Sequence, residues 1–123
     1  MKLGAFSISL NVTDLQRSRD FYHALGFEDF GGGADQGYLI LKNGEALIGL
    51  FAGFIEQNTL TFNPGWDQDA RETDPFDDVR RIQERLIAAG LTLETTCDPV
   101  GTGPAYITLR DPDGNPILID QHR

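Results

Sequence analysis

The sequence has few of the residues that build metal sites and covalent active sites. Its 123 residues include one cysteine, Cys97, and two histidines, His23 and His122. A single cysteine excludes an internal disulfide and a cysteine-rich zinc site. We interpret Cys97 as a small, semi-buried side chain rather than a nucleophile, because no histidine lies near it in the sequence. We expect His23 on a helix surface and His122 to be mobile, and neither has the partners of a hydrolytic triad.

Long apolar runs and positive charge are also scarce. No apolar run approaches the roughly 20 residues that span a bilayer, and the first four residues lack the charged and then apolar pattern of a signal peptide. We therefore expect a cytoplasmic protein with no membrane partner. Ten basic residues against nineteen acidic ones give a formal charge of −9, which argues against a nucleic acid as partner. A cationic or neutral ligand is easier to accommodate.

What the sequence does contain is an internal duplication. Residues 7–11, Ser-Ile-Ser-Leu-Asn, return at residues 59–63 as Thr-Leu-Thr-Phe-Asn, and residues 38–42 return in the same way at residues 106–110. Residues 7–11 and 59–63 alternate with period two, which is typical of a strand with one apolar and one polar face. A single copy leaves a sheet face uncovered. We therefore predict one domain, residues 1–123, with modules of about residues 1–55 and about residues 56–123.

Each copy predicts a strand, a helix and three further strands. In the first copy, Thr13 and Asp14 are alternative N-caps of a helix that ends at Gly26. The elements that follow are a strand at 27–30, a turn at Gly31 to Gly33, and a hairpin of 38–42 with 45–51 closed by a type I′ turn at Asn43-Gly44.

The second copy repeats this order around an insertion. Strand 59–63 leads into an inserted loop from Pro64 to Pro75, and Asp74-Pro75 is predicted to begin a helix that ends at Gly90. A strand at 91–95 follows, and then a hairpin of 104–110 with 116–121 across the turn 111–115.

Three segments carry a resemblance to a known family. They are Asn-Val-Thr-Asp-Leu at 11–15, Phe-Tyr-His-Ala-Leu-Gly-Phe at 21–27 and Asp-Pro-Asp-Gly-Asn at 111–115. In this order they resemble the signature of the vicinal oxygen chelate superfamily, which includes glyoxalase I, extradiol dioxygenases and bleomycin-resistance proteins. The resemblance implies an α+β fold in which two βαβββ modules form an open, partly closed mixed β-barrel around a ligand site. It also implies a homodimer.

The resemblance further implies where a metal is held in related enzymes. Those proteins place a histidine on the first strand of a module and a glutamate on its last strand. The histidine positions fall here on Ser7 and on or beside Thr59, and the glutamate positions on Gly49 and Leu118. A neutral hydroxyl is a poor ligand for zinc, nickel or iron, and glycine and leucine have no side-chain donor. We therefore expect no metal and no other cofactor.

We expect the polar faces of the duplicated strands to line a cavity for a small molecule. The predicted ligand-binding residues are Ser7, Ser9, Asn11, Tyr38, Gly49, Phe51, Thr59, Thr61, Asn63, Trp66, Tyr106, Leu118 and Asp120. Two alternatives remain open. The hydroxyls satisfy each other or a trapped water, and Trp66 packs on the barrel rim or at a dimer interface rather than against a ligand.

Three functional hypotheses follow. The first is a metal-independent protein of the bleomycin-resistance type that sequesters a drug or metabolite without turnover. The second is a lyase, isomerase or dioxygenase-like enzyme that uses the same cavity with acid-base or atypical metal chemistry, in which Asp120 or Tyr106 transfers protons. The third is a dimer with a filled cavity that serves another protein. The sequence assigns no catalytic residue and does not identify the ligand.

Overall fold

The computed structural model describes residues 1–123 and has an α+β fold, as the sequence predicts. Its elements in chain order are β1 (Ala5–Asn11), α1 (Leu15–Ala24), β2 (Glu28–Gly33), a 3-10 turn (Ala34–Gln36), β3 (Tyr38–Asn43), β4 (Ala46–Phe51), β5 (Thr59–Asn63), α2 (Val79–Ala88), β6 (Ala105–Arg110) and β7 (Pro116–Gln121). Neither helix has the length and apolar character that crossing a membrane would require.

The chain forms two compact units. Residues 7–59 form one, called here the small unit, and residues 1–6 together with 60–123 form the other, called the large unit. Each unit contains a helix and an antiparallel hairpin, in the order that the duplication predicts.

The small unit has the strand order β2-β3-β4-β1. Strand β1 runs parallel to β4, and β3 and β4 are antiparallel. The apolar alternate residues of these strands pack together with α1, around a buried centre of Leu39, Leu41 and Leu50. The polar alternate residues of β1 therefore lie on the opposite face of this sheet.

Helix α1 begins and ends where the sequence indicates. Of the two candidate N-caps, Asp14 takes the role, and its carboxylate accepts the backbone N–H of Arg17 at 3.0 Å. Gly26 follows the helix with φ of +96°, the left-handed conformation that ends many helices.

Two predictions for the small unit need correction. The β3–β4 turn has Gly44 and Glu45 at its centre, because Asn43 pairs with Ala46. Gly44 has φ of +58° but Glu45 does not have a positive φ, so the turn is type II′ rather than type I′, which requires positive φ at both central positions. Residues 31–33, predicted as a turn, belong to β2 beyond a register irregularity between Asp29 and Gly31.

The large unit has the strand order β5-β7-β6. Strand β5 is parallel to β7, and the predicted β6–β7 hairpin is confirmed. Its buried centre consists of Val79 and Ile82 of α2 and Ile107, Leu109 and Ile119 of the sheet. The face of this sheet opposite α2 is the polar one.

The predicted start of α2 is wrong by one turn. Its N-cap is Asp78 rather than Asp74, and the Asp78 carboxylate accepts the backbone N–H of Arg80 at 2.9 Å. The carboxylate of Asp74 instead lies 3.2 Å from the guanidinium of Arg123.

The predicted strand at residues 91–95 does not form. It is reduced to a single bridge between Thr95 and Thr108. The backbone N–H groups of Glu94 and Thr95 both donate to the carbonyl of Thr108, at 2.9 and 3.3 Å, so the segment does not continue as a regular ladder.

Candidate functional site

The polar face of the large unit brings five predicted site residues onto one sheet surface. Thr61 pairs with Leu118 between β5 and β7, and Tyr106 pairs with Asp120 between β6 and β7. Asn63 lies two residues after Thr61, and its side-chain amide donates to the backbone carbonyl of Asp120 at 2.9 Å. Hydroxyl, amide, phenol and carboxylate groups therefore lie side by side.

Asp120 is the partly buried carboxylate of this face. Burial raises the pKa of its carboxyl, and the nearby His122 opposes that rise. Nε2 of His122 lies 3.4 Å from the carboxylate, and its ring stacks on Trp66 with 4.8 Å between ring centroids. His122 thus lies between an acid and an aromatic ring.

The polar face of the small unit is more aromatic. The rings of Tyr38 and Phe51 stack nearly parallel, with 5.6 Å between centroids and 5° between planes. Ser9 and Asn11 pair with Gly49 and Phe51 across β1 and β4. This surface therefore combines a hydroxyl and an amide with a flat apolar platform.

Gly49 has a packing role in that platform. A Cβ built on it would lie 2.6 Å from the ring carbon Cε2 of Phe51, so the Phe51 ring covers the position where the resemblance implies a glutamate. A glutamate side chain could not be placed there without moving this ring.

The other predicted residues lie at strand termini or on neighbouring loops. Ser7 is half-buried in β1, and the hydroxyl of Thr59 donates to the backbone carbonyl of Gln57 at 2.9 Å. Trp66 follows β5 and stacks on His122. The predicted cavity shared by the two copies, and its lining by the full residue set, stay predictions.

The donor set does not fit the metal that the resemblance implies. Its four ligand positions hold Ser7, Thr59, Gly49 and Leu118, which offer two neutral hydroxyls and no imidazole or carboxylate. No three side chains of histidine, cysteine, aspartate or glutamate lie together in a group that could hold an ion.

Comparison with models of known protein families shows which family the chain belongs to. The model of the Glyoxalase/Bleomycin resistance protein/Dioxygenase superfamily matches residues 4–119, which is nearly the whole chain. The protein belongs to this superfamily. No curated protein sequence matches the chain.

Solved structures agree on the fold and differ in activity. The chain is similar to a glyoxalase/bleomycin resistance protein/dioxygenase superfamily member from Vibrio splendidus 12B01 (TM-score 0.62, 16% identity, 94% of this chain and 97% of that chain covered). It is also similar to a protein from Legionella pneumophila described as an NAD-dependent benzaldehyde dehydrogenase (TM-score 0.69, 14% identity, 96% of this chain and 99% of that chain covered). A third similar structure is an extradiol ring-cleaving dioxygenase from B. fuscum (TM-score 0.59, 22% identity, 94% of this chain and 31% of that chain covered). At these identities the likeness establishes the fold and not the reaction.

Sequence reasoning missed one side chain of this superfamily member's polar face. Strand alternation would have placed His122 on the same face as Asp120, two residues earlier, but nearness to the C-terminal residue suggested mobility instead. Cys97 agrees with its interpretation as a semi-buried side chain rather than a nucleophile. Burial raises the pKa of its thiol and so disfavours the reactive thiolate.

The other histidine belongs to a surface cluster of the small unit. His23 and Arg19 of α1 both contact the carboxylate of Asp29 in β2. Hydrogen bonds from Arg19 and then His23 lower the pKa of Asp29 to about 2. The cluster links the helix to the edge strand, and we assign it a structural role.

Proposed function

We propose that this superfamily member is a metal-independent small-molecule-binding protein of the glyoxalase/bleomycin-resistance type, which sequesters a drug or metabolite without turning it over. The proposal includes a cytoplasmic location, a homodimer, and neither nucleic acid nor membrane as partner. The observation that carries it is the donor set, because two hydroxyls, a glycine and a leucine stand at the four positions where related enzymes hold metal ligands, and no cluster of ligating side chains replaces them.

The two polar faces support a ligand that is partly aromatic. The Tyr38–Phe51 platform offers a flat apolar surface, and the groups around Thr61, Asn63 and Asp120 offer hydrogen-bond donors and acceptors. Aromatic contact with a few placed polar groups is the usual composition of a small-molecule site. The half-buried carboxylate of Asp120 favours a ligand with a donor or a positive charge.

Ligand binding is expected to be independent of metal. The protein, purified without chelator, should contain far less than one zinc, nickel, manganese or iron ion per chain, and EDTA should change neither its melting temperature nor any ligand-induced shift. In a thermal-shift screen, a true ligand at 100 times its dissociation constant should stabilise the fold by about 2.7 kcal/mol. Element analysis by mass spectrometry and the screen with and without EDTA make the measurement.

A matched pair of variants locates the binding. Thr61→Leu places a bulky apolar group on the polar face and should abolish the ligand-induced shift, whereas Thr102→Leu, at an exposed loop position, should leave it unchanged. Tight stoichiometric metal binding, or a ligand shift that disappears with EDTA, would contradict the proposal.

The environment of Asp120 favours a second candidate, an enzyme that uses acid-base chemistry at the same face. Its carboxyl is partly buried with a raised pKa, Tyr106 is its cross-strand partner, and His122 lies 3.4 Å away. A carboxyl with a raised pKa is a better general acid or base near neutral pH than an ordinary one. Turnover of a bound ligand, lost in Asp120→Asn with binding retained, would distinguish this candidate from sequestration.

Asp120→Asn is also expected to stabilise the fold at neutral pH. The pKa of Asp120 is raised from its usual value of 3.8, so the native state holds this proton more tightly than the unfolded state. The free energy of unfolding therefore falls as pH rises from 3.8 through the raised pKa, and remains lowered above it. Asparagine removes this loss.

Urea unfolding of both proteins from pH 3 to pH 8 measures the effect. The two curves should diverge as pH rises, with the variant the more stable at pH 7. Parallel curves over the whole range would mean that Asp120 titrates normally.

A further inference from the structure

A concave site lies in the large unit. It is a cleft of about 410 Å³, within the range of small-molecule sites. Residues 2–4 form one wall, and residues 65–66 and 73–75 of the inserted loop, with residues 76–77 directly after it, form the other. Trp66 is the only predicted site residue that lines it.

The inserted loop that forms one wall of the cleft is held in place by hydrogen bonds. The backbone N–H of Thr73 donates to Gly65 at 2.9 Å, and that of Asp67 donates to Arg71 at 3.0 Å. The guanidinium of Arg123 donates to the carbonyls of Gly65 and Thr73 at 3.3 and 2.9 Å. The loop is therefore closed as a small hairpin and fastened at its base.

The opposite wall is tied to the same loop. The backbone N–H of Lys2 donates to the carboxylate of Asp77 at 2.6 Å. With both walls fixed by hydrogen bonds, the cleft is formed before any ligand arrives, which lowers the entropic cost of binding.

The lining combines aromatic rings with carboxylates. Trp66 and Phe76 supply the rings, and Asp74 and Asp77 supply the acids. The Asp74 side chain is 70% exposed, so its carboxylate is accessible to a ligand. Rings beside carboxylates favour an organic cation through cation–π contact and charge-assisted hydrogen bonds.

The chain itself makes the contact that this chemistry favours. The guanidinium carbon of Arg123 lies 4.2 Å from the centroid of the Phe76 ring, and one of its nitrogens lies 3.2 Å from the Asp74 carboxylate. A planar nitrogen cation is thus already bound at the edge of the cleft. The formal charge of −9 on the whole chain also favours the approach of a cation.

We propose that this cleft binds a small organic cation, in which a planar amidinium or an ammonium group is attached to an aromatic ring. The ring lies against Trp66, and the cationic group faces the carboxylates of Asp74 and Asp77. This site shares Trp66 with the predicted ligand-binding set but is not lined by Thr61 or Asp120, the residues that test the proposed function.

A probe series of constant shape tests the proposal. Benzamidine, benzamide and benzoate are similar in size and carry a positive, a zero and a negative charge. Each is titrated into the full chain, with amide and indole N–H signals followed by NMR. Benzamidine should shift the signals of Trp66, Thr73 and Asp77 with saturation, and should bind at least about tenfold more tightly than benzamide, while benzoate should not bind.

Charge-removing variants locate the cation. Asp77→Asn keeps an oxygen acceptor for Lys2 but removes the charge, and Asp74→Asn removes the exposed charge. Each should weaken benzamidine binding about threefold to tenfold, while Glu84→Gln, the same change at an exposed site on α2, should not. Equal binding of benzamidine and benzamide, no saturable shift at the cleft, or equal effects of all three variants would overturn the proposal.

Discussion

Replacing Gln121 by leucine is expected to lower the free energy of unfolding by about 3 to 5 kcal/mol. Gln121 is 1% exposed, and both its side-chain oxygen and its side-chain nitrogen form hydrogen bonds. Its side-chain oxygen accepts the N–H of Val79 at 2.8 Å, and its nitrogen donates to the Asp78 carboxylate at 3.1 Å and to the carbonyls of Gly103 and Arg123 at 3.0 and 2.9 Å. Leucine fills a similar volume but removes the bonds to the Val79 N–H and the Arg123 carbonyl, and leaves the Asp78 carboxylate and the Gly103 carbonyl with Arg80 alone.

Urea unfolding followed by circular dichroism measures the loss, with Gln36→Leu at an exposed position as the control that should change stability little. Gln121→Glu separates the two halves of the amide. It keeps an acceptor for Val79 but places a second carboxylate against Asp78, so it should be strongly destabilising at neutral pH and less so when the pH is lowered. A Gln121→Leu protein within about 1 kcal/mol of wild type would contradict the role of this network.

Replacing Gly4 by alanine is expected to destabilise the large unit by about 3 kcal/mol. Gly4 has φ of +85°, and a Cβ there would lie 2.0 Å from the backbone oxygen of Asn63 and 2.8 Å from the Cα of Pro64. Both are main-chain atoms, so no side-chain rotation relieves the clash. The segment before β1 would have to move away from the end of β5.

Gly53→Ala provides the matched control. Gly53 has nearly the same φ, +87°, but a Cβ there meets nothing within 4 Å. It should cost only the left-handed conformation, about 1 kcal/mol. The difference between the two variants in thermal and urea unfolding isolates the clash at Gly4, and equal losses would show that no clash exists.

The elements that follow from local pattern were predicted well. Strand β5 was placed at residues 59–63, and the β6–β7 hairpin differs from its prediction by one residue at Pro104. Period-two alternation and turn residues at fixed positions are local signals, readable in a few residues. The same alternation placed Thr61, Asn63 and Asp120 on one face.

The predictions that failed depended on distant partners. Asp74 was the predicted N-cap of α2, but Asp78 takes the role, and Gln121, 43 residues after it, binds both the Asp78 carboxylate and the N–H of Val79. Residues 31–33 extend a strand because Tyr38 pairs with Gly33. A Cβ on Gly32 would lie 2.8 Å from the Tyr38 carbonyl, so glycine permits that close approach.

The cleft was not predicted for the same reason. Pro64 to Pro75 was recognised as an insertion, but its sequence does not reveal that Arg123 fastens it or that Lys2 meets Asp77. In the structure Asp67 accepts the N–H groups of Asp69 and Arg71 at 2.9 and 3.0 Å, and so shapes the turn.

The inserted loop also shields the backbone of β1. The side-chain amide of Gln68 accepts the N–H of Phe6 at 2.5 Å and donates to its carbonyl at 2.9 Å, which imitates one rung of strand pairing. An amide side chain cannot be extended by further rungs as a strand can. Gln68 therefore satisfies both backbone groups of Phe6, so this residue of β1 needs no strand partner on that side.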